Sequence, residues 1–154
     1  MEYLVVKWVH ILSSTVLFGT GLGSAFYMYF ASRTRDARVI ATVVRYVVIA
    51  DWMFTTPTIL IQPASGFYLL HRSGIALSSG WIAWSIGLYL LAGACWLPVV
   101  WMQMRMRDMA DRAAARGLEI PPVYWRYLDW WIVLGVIAFF SLVAVFYLMV
   151  AKPL

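Results

Sequence analysis

Four long apolar stretches constrain this chain more than any other feature. They cover about residues 3–31, 46–70, 81–102 and 128–151, and very few charged residues fall inside them. Crossing ~30 Å of hydrocarbon at ~1.5 Å per residue takes ~20 helical residues, and each stretch supplies them. The expected fold is therefore all-α: an integral membrane, antiparallel four-helix bundle forming one domain over residues 1–154. Composition agrees, at 64% hydrophobic and 12% charged with a mean hydropathy of +0.80. The first stretch follows Glu2 rather than a basic segment, is too long for a leader, and has no small-residue cleavage pattern after it. It reads as a retained span. Cys95 is the single cysteine, which excludes an intramolecular disulfide.

The net charge of +5 does not point to nucleic acid, because the cations sort by loop. Arg33, Arg35, Arg38 and Arg45 lie between spans one and two. Arg105, Arg107, Arg112, Arg116 and Arg126 lie between spans three and four. Only Lys7, Arg72 and Lys152 remain for the other side. The positive-inside rule places the two basic loops in the cytoplasm and both termini on the periplasmic side, in a bacterial inner membrane. Residues 72–80, short and rich in Ser and Gly, make a tight hairpin. "MQMRMRDMADRAAARGLE" reads as a helical extension of span three that stops at Gly117, and "PPVYWRY" restarts the chain. Trp and Tyr gather near span ends, as an interfacial belt requires.

His10 is the first candidate for chemistry. It lies roughly 9–10 Å below the outer end of span one. Steps of three and four place Tyr3, Lys7, His10, Ser14, Leu17, Gly21 and Ser24 on one small, polar face, which belongs inside the bundle. Gly19, Gly21 and Gly23 have the wrong spacing for a dinucleotide loop. They suit close approach of a helix or of a flat ring. In span two, Asp51, Thr55, Thr58, Gln62 and Ser65 form a second polar stripe, interrupted by Pro57 and Pro63. Gln62 lies at nearly the depth of His10, so the two are a candidate hydrogen-bonded pair. His71, beside Arg72, is on the same side of the membrane but roughly 9 Å shallower. Asp51 and Asp129 are placed to pair with Arg45 or Arg126. Met102, Met104, Met106 and Met109 read as flexible apolar packing rather than as copper ligands.

"VVKWVHILSS", "TTPTILIQPASGFYLL" and the closing "LMVAKPL" resemble the HemJ-type membrane protoporphyrinogen oxidases, four-helix proteins related to the CopD membrane domain. The resemblance implies a bound b-type haem. It places Lys7 and His10 on that family's Lys-x-x-His pattern, with the histidine a haem ligand. Thr56, Pro57 and Gly66 fall on its Thr-Pro…Gly pattern, and Lys152-Pro153 on its terminal Lys-Pro. Thr58, Ile59 and Leu60 stand where that family has a methionine, and the third span lacks its Lys and His. Size and pattern are also similar to the predicted integral membrane family called domain of unknown function 2269, the closer resemblance.

Two functional readings follow. In the first, the protein is a haem b-binding redox protein with His10 as iron ligand and Ser14, Gly21, Gln62 and His71 around the ring. Lys7, Arg72 and Lys152 would hold the propionates, with a quinone or another membrane redox protein as partner and a homodimer as one source of a second ligand. In the second, it is a cofactor-free membrane subunit or scaffold with a structural His10–Gln62 contact. A CopD-like copper role ranks behind both.

Overall fold

The computed structural model of the protein describes residues 1–152; Pro153, half of the terminal Lys-Pro pair, lies outside them. Every element among the described residues is helical. The order is α1 (Glu2–Arg33), α2 (Ala37–Ala50), a π-helical turn (Asp51–Thr55), α3 (Thr56–Ser73), α4 (Gly80–Arg116) and α5 (Pro122–Ala151). Four helices can cross a membrane, because α2, the π turn and α3 form one rod over Ala37–Ser73. All four exceed the apolar stretches read from the sequence, since amphipathic turns extend the helices into the basic loops.

Local chemistry sets the boundaries. After α1 the Thr34 hydroxyl donates to the Ala31 carbonyl at 2.7 Å. Asp36 then caps α2 by accepting from the Arg38 and Val39 amides at 2.8 and 3.4 Å. Gly74 and Gly117 end α3 and α4 with φ of +66° and +63°, a region where only glycine lacks a steric penalty. At Pro57 the ladder slips one register: the Thr56 amide bonds to the Asp51 carbonyl five residues back. Proline offers no N–H and crowds the carbonyl four residues before it, which favours the wider turn.

The core gathers at the end that carries the basic loops. Met28, Ile40, Val44, Met106, Ala110 and Tyr124 are fully enclosed there, where α2 packs against α4 and α1, and α5 packs against α4. Ser32 and Tyr124 bond across it at 2.8 Å. Met102 and Met106 belong to this core and Met109 packs on it. Toward the chain termini, α1 pairs with α3 and α4 with α5. Phe18 stacks on Phe139 at 5.0 Å and meets Phe146 edge-on at 5.4 Å. Lipid gives no hydrophobic drive between spans, so shape contacts and a few polar bonds hold the two pairs together.

Candidate functional site

Two polar arrangements lie between the helices, and they are separate. The first is the seam between α1 and α3. Gln62 Nε2 donates to the His10 carbonyl at 2.8 Å and to Ser13 Oγ at 2.6 Å. Ser13 also donates to the His10 carbonyl at 3.1 Å. The expected contact of Gln62 with His10 is thus made to its backbone, and the imidazole turns to Ser65 instead. His10 Nδ1 lies 2.8 Å from Ser65 Oγ, whose single proton is directed to the Ile61 carbonyl at 2.6 Å. Ser65 therefore accepts from Nδ1–H, and Nε2 keeps its lone pair. Gly66 gives the ring its room: a Cβ there would sit 3.3 Å from His10 Cε1.

Other expected site residues stand apart from this seam. Ser14 folds its hydroxyl onto the Ile11 carbonyl at 2.7 Å, and Ser13, one position earlier, is the buried partner. Lys7, His71, Arg72 and Lys152 are exposed. His71 lies six residues beyond Ser65, about 9 Å along α3. Gly21 lies eleven residues beyond His10, about 16 Å along α1.

Gly21 instead lines the second feature, a cavity of about 480 Å³ between α1, the π turn and α3, α4 and α5, partly open at the surface where its lining residues Leu22, Phe26 and Phe30 are exposed. Its walls pair small and aromatic residues, Gly21 with Ala25, Gly93 with Trp96 and Gly135 with Phe139, among aliphatic side chains such as Leu17 and Ile59. From Trp131 to Leu142 along α5 it extends about 16 Å. Tyr89 in its wall donates to the Ile59 carbonyl at 2.7 Å. Pro63, four residues after Ile59, has no N–H for that carbonyl, so a side chain from α4 completes α3. The indole Nε1 of Trp96 is buried with no acceptor, the one such side-chain atom among the described residues.

The end of the cavity toward the basic loops is polar. Trp131 Nε1 donates to Gln103 Oε1 at 3.2 Å. An indole N–H can only donate, so the Gln103 amide must present Nε2 on its other side. That Nε2 donates to Asp51 Oδ2, and Thr55 donates to Asp51 Oδ1 at 2.8 Å. Asp51, Thr55 and Gln103 are 7%, 5% and 1% exposed. The expected pairing of Asp51 with Arg45 is not formed. Arg45 reaches Asp111 at 2.8 Å, eight residues and about two turns beyond Gln103 on α4, and no cation lies within ion-pair distance of Asp51 among the described residues. Asp129, the other candidate, is exposed and makes no ion pair among the described residues. Gln103 and Trp131 carried no signal of their own, because a lone Gln in a basic helix and one Trp of nine look like ordinary surface and belt residues.

A haem enclosed by the four helices needs an iron ligand facing their shared space. No His, Cys or Met lines the cavity, and His10, Ser14, Gln62 and His71 are outside it. No cluster of three His, Cys, Asp or Glu side chains that could hold a metal occurs among the described residues. The residues brought together do not fit a haem held inside the bundle on His10.

Helix length, apolarity and this interior define a four-span integral membrane protein. Residues 4–153 match the family described as predicted integral membrane protein (DUF2269), and the chain belongs to that family. No curated protein and no solved structure matches it.

Proposed function

We propose that this protein takes a lipophilic molecule from the bilayer into the four-helix cavity. It would do so as an antiparallel bundle in a bacterial inner membrane, with both termini on the periplasmic side. The observation that carries the reading is the cavity itself. Its volume of about 480 Å³ is in the range of small-molecule sites, its walls are apolar, and its few polar groups sit at one end.

The scaffold reading keeps one role within this picture: the His10, Ser13, Gln62 and Ser65 seam fastens α1 to α3. For the haem reading, the free Nε2 of His10 leaves one arrangement, a haem on the outer face of α1 shared by two copies of the chain. An absorbance spectrum of the purified protein, oxidised and then dithionite-reduced, separates these ideas. The cavity reading expects no Soret band, and a b-type spectrum lost in His10→Ala would restore haem.

Native mass spectrometry of protein released from mild detergent tests the cavity. The wild type should retain one lipophilic molecule per chain. Gly135→Leu and Gly21→Leu fill the space, and a Cβ at either position meets nothing within 4 Å, so both should fold and lose that molecule. Bare chain in the wild type, or equal retention in the filled variants, would refute the reading.

A further inference from the structure

We infer that the occupant of the cavity is a lipophilic cation, held by the Asp51 carboxylate at the polar end and by aromatic faces along the walls. This rests on the cavity reading above and adds the charge of the ligand.

The inference starts from an imbalance in the Asp51 network. Its donors are the Thr55 hydroxyl and the Gln103 amide, and the amide is fixed in turn by Trp131. All three are neutral. Both carboxylate oxygens act as acceptors, as an ionised carboxylate does, and each has capacity for another bond. A carboxyl group deep in a membrane span is held in its charged form only where a compensating charge meets it, and a bound cation would supply one. No Lys or Arg of the described residues pairs with it: Arg45 is held by Asp111, Arg107 by Asp108, and Arg105 lies over the Trp101 ring. Asp51 also borders the cavity, so the place where a counter-charge is missing is continuous with a space where a molecule fits.

The walls select the rest of the ligand. Tyr29, Trp96, Trp131 and Phe139 line the cavity, and aromatic faces attract organic cations while accommodating their apolar bodies. No Lys or Arg lines it, so an anion would meet only Asp51. A small hydrated cation would lose its water without enough oxygen ligands to replace it. An amine, quaternary ammonium or phosphonium carried on apolar groups satisfies both the carboxylate and the walls.

The test uses two probes of one shape and opposite charge, tetraphenylphosphonium and tetraphenylborate. Equilibrium dialysis against the full-length protein in detergent, with empty micelles subtracted, gives both affinities. The wild type should bind the phosphonium at one site per chain and prefer it to the borate. Asp51→Asn keeps the size of the side chain and removes its charge. It should weaken phosphonium binding on the order of ten- to a hundredfold, the effect of losing one partly screened ion pair, and leave the borate unchanged. Gly135→Leu, remote from the carboxylate, should abolish the phosphonium site. Equal affinity of the wild type for the two ions, or unchanged phosphonium affinity in Asp51→Asn, overturns the cation inference and leaves the cavity reading standing. Failure of both ions to bind the wild type overturns both. The wild-type preference is decisive alone if Asp51→Asn does not fold.

Discussion

Tyr89→Phe tests how α3 survives a proline in the middle of a membrane span. Pro63 removes the amide that would reach the Ile59 carbonyl, and the Tyr89 hydroxyl replaces it at 2.7 Å. Deleting that hydroxyl leaves a buried carbonyl without its donor, a loss of about 1–3 kcal/mol in soluble proteins. Interhelical bonds in membranes average about 0.6 kcal/mol and reach about 1.7, because an unfolded span finds other partners. The Ile59 carbonyl has no donor within its own helix, so the upper part of that range applies and about 1–2 kcal/mol is expected. Pro63→Ala restores the amide, and in that background Tyr89→Phe should cost about 0.5 kcal/mol or less, leaving a coupling of about 1 kcal/mol. Unfolding the four proteins by SDS titration in mixed micelles, followed by circular dichroism, closes the cycle. Equal cost of Tyr89→Phe in both backgrounds would refute the idea that the hydroxyl stands in for the missing amide.

Three further outcomes are expected in the same assay. Gln62→Leu strips the His10 carbonyl and Ser13 of their shared donor and should cost about 0.6–1.7 kcal/mol; in a Ser13→Ala background part of that cost should remain, carried by the bond to the His10 carbonyl, and its complete loss would refute a role for that bond. Gly66→Val drives its side chain against His10 Cε1 and should cost about 1–3 kcal/mol. In a His10→Ala background that penalty should shrink, and an undiminished one would place the strain elsewhere. Arg45→Ala should change stability by less than about 0.5 kcal/mol, because the pair with Asp111 is 59% and 34% exposed and water screens it. A larger loss would show that this pair holds α2 to α4.

Particular residues show how much was legible beforehand. The stop at Gly117 and the helical run before it follow from local chemistry, and the structure has both. The stripe Asp51, Thr55, Thr58, Gln62 and Ser65 follows from helical spacing, and all five are buried. Spacing alone did not reveal what each one touches. Ser13 and Ser14 are one residue apart on α1, and only the rotation of that helix against α3 selects Ser13. Equal depth makes His10 and Gln62 a hydrogen-bonded pair, but only the fold shows that Gln62 takes the His10 carbonyl while the ring meets Ser65, beside the space Gly66 leaves. The haem ligand that the resemblance implies is His10, whose Nδ1 the fold directs into a two-helix seam and away from the cavity.

The sequence by itself determined the spans and the segregation of basic loops. Both depend on local quantities: about twenty apolar residues per crossing, and charge counted loop by loop. Tertiary structure decided the Asp51–Gln103–Trp131 chain, the Tyr89 donor to Ile59, and the cavity between them. The physical reason is the solvent. In water a helix declares its buried face by being apolar on one side. In a bilayer α1 and α5 are apolar nearly all round, so only the packing of neighbours settles which few polar groups meet.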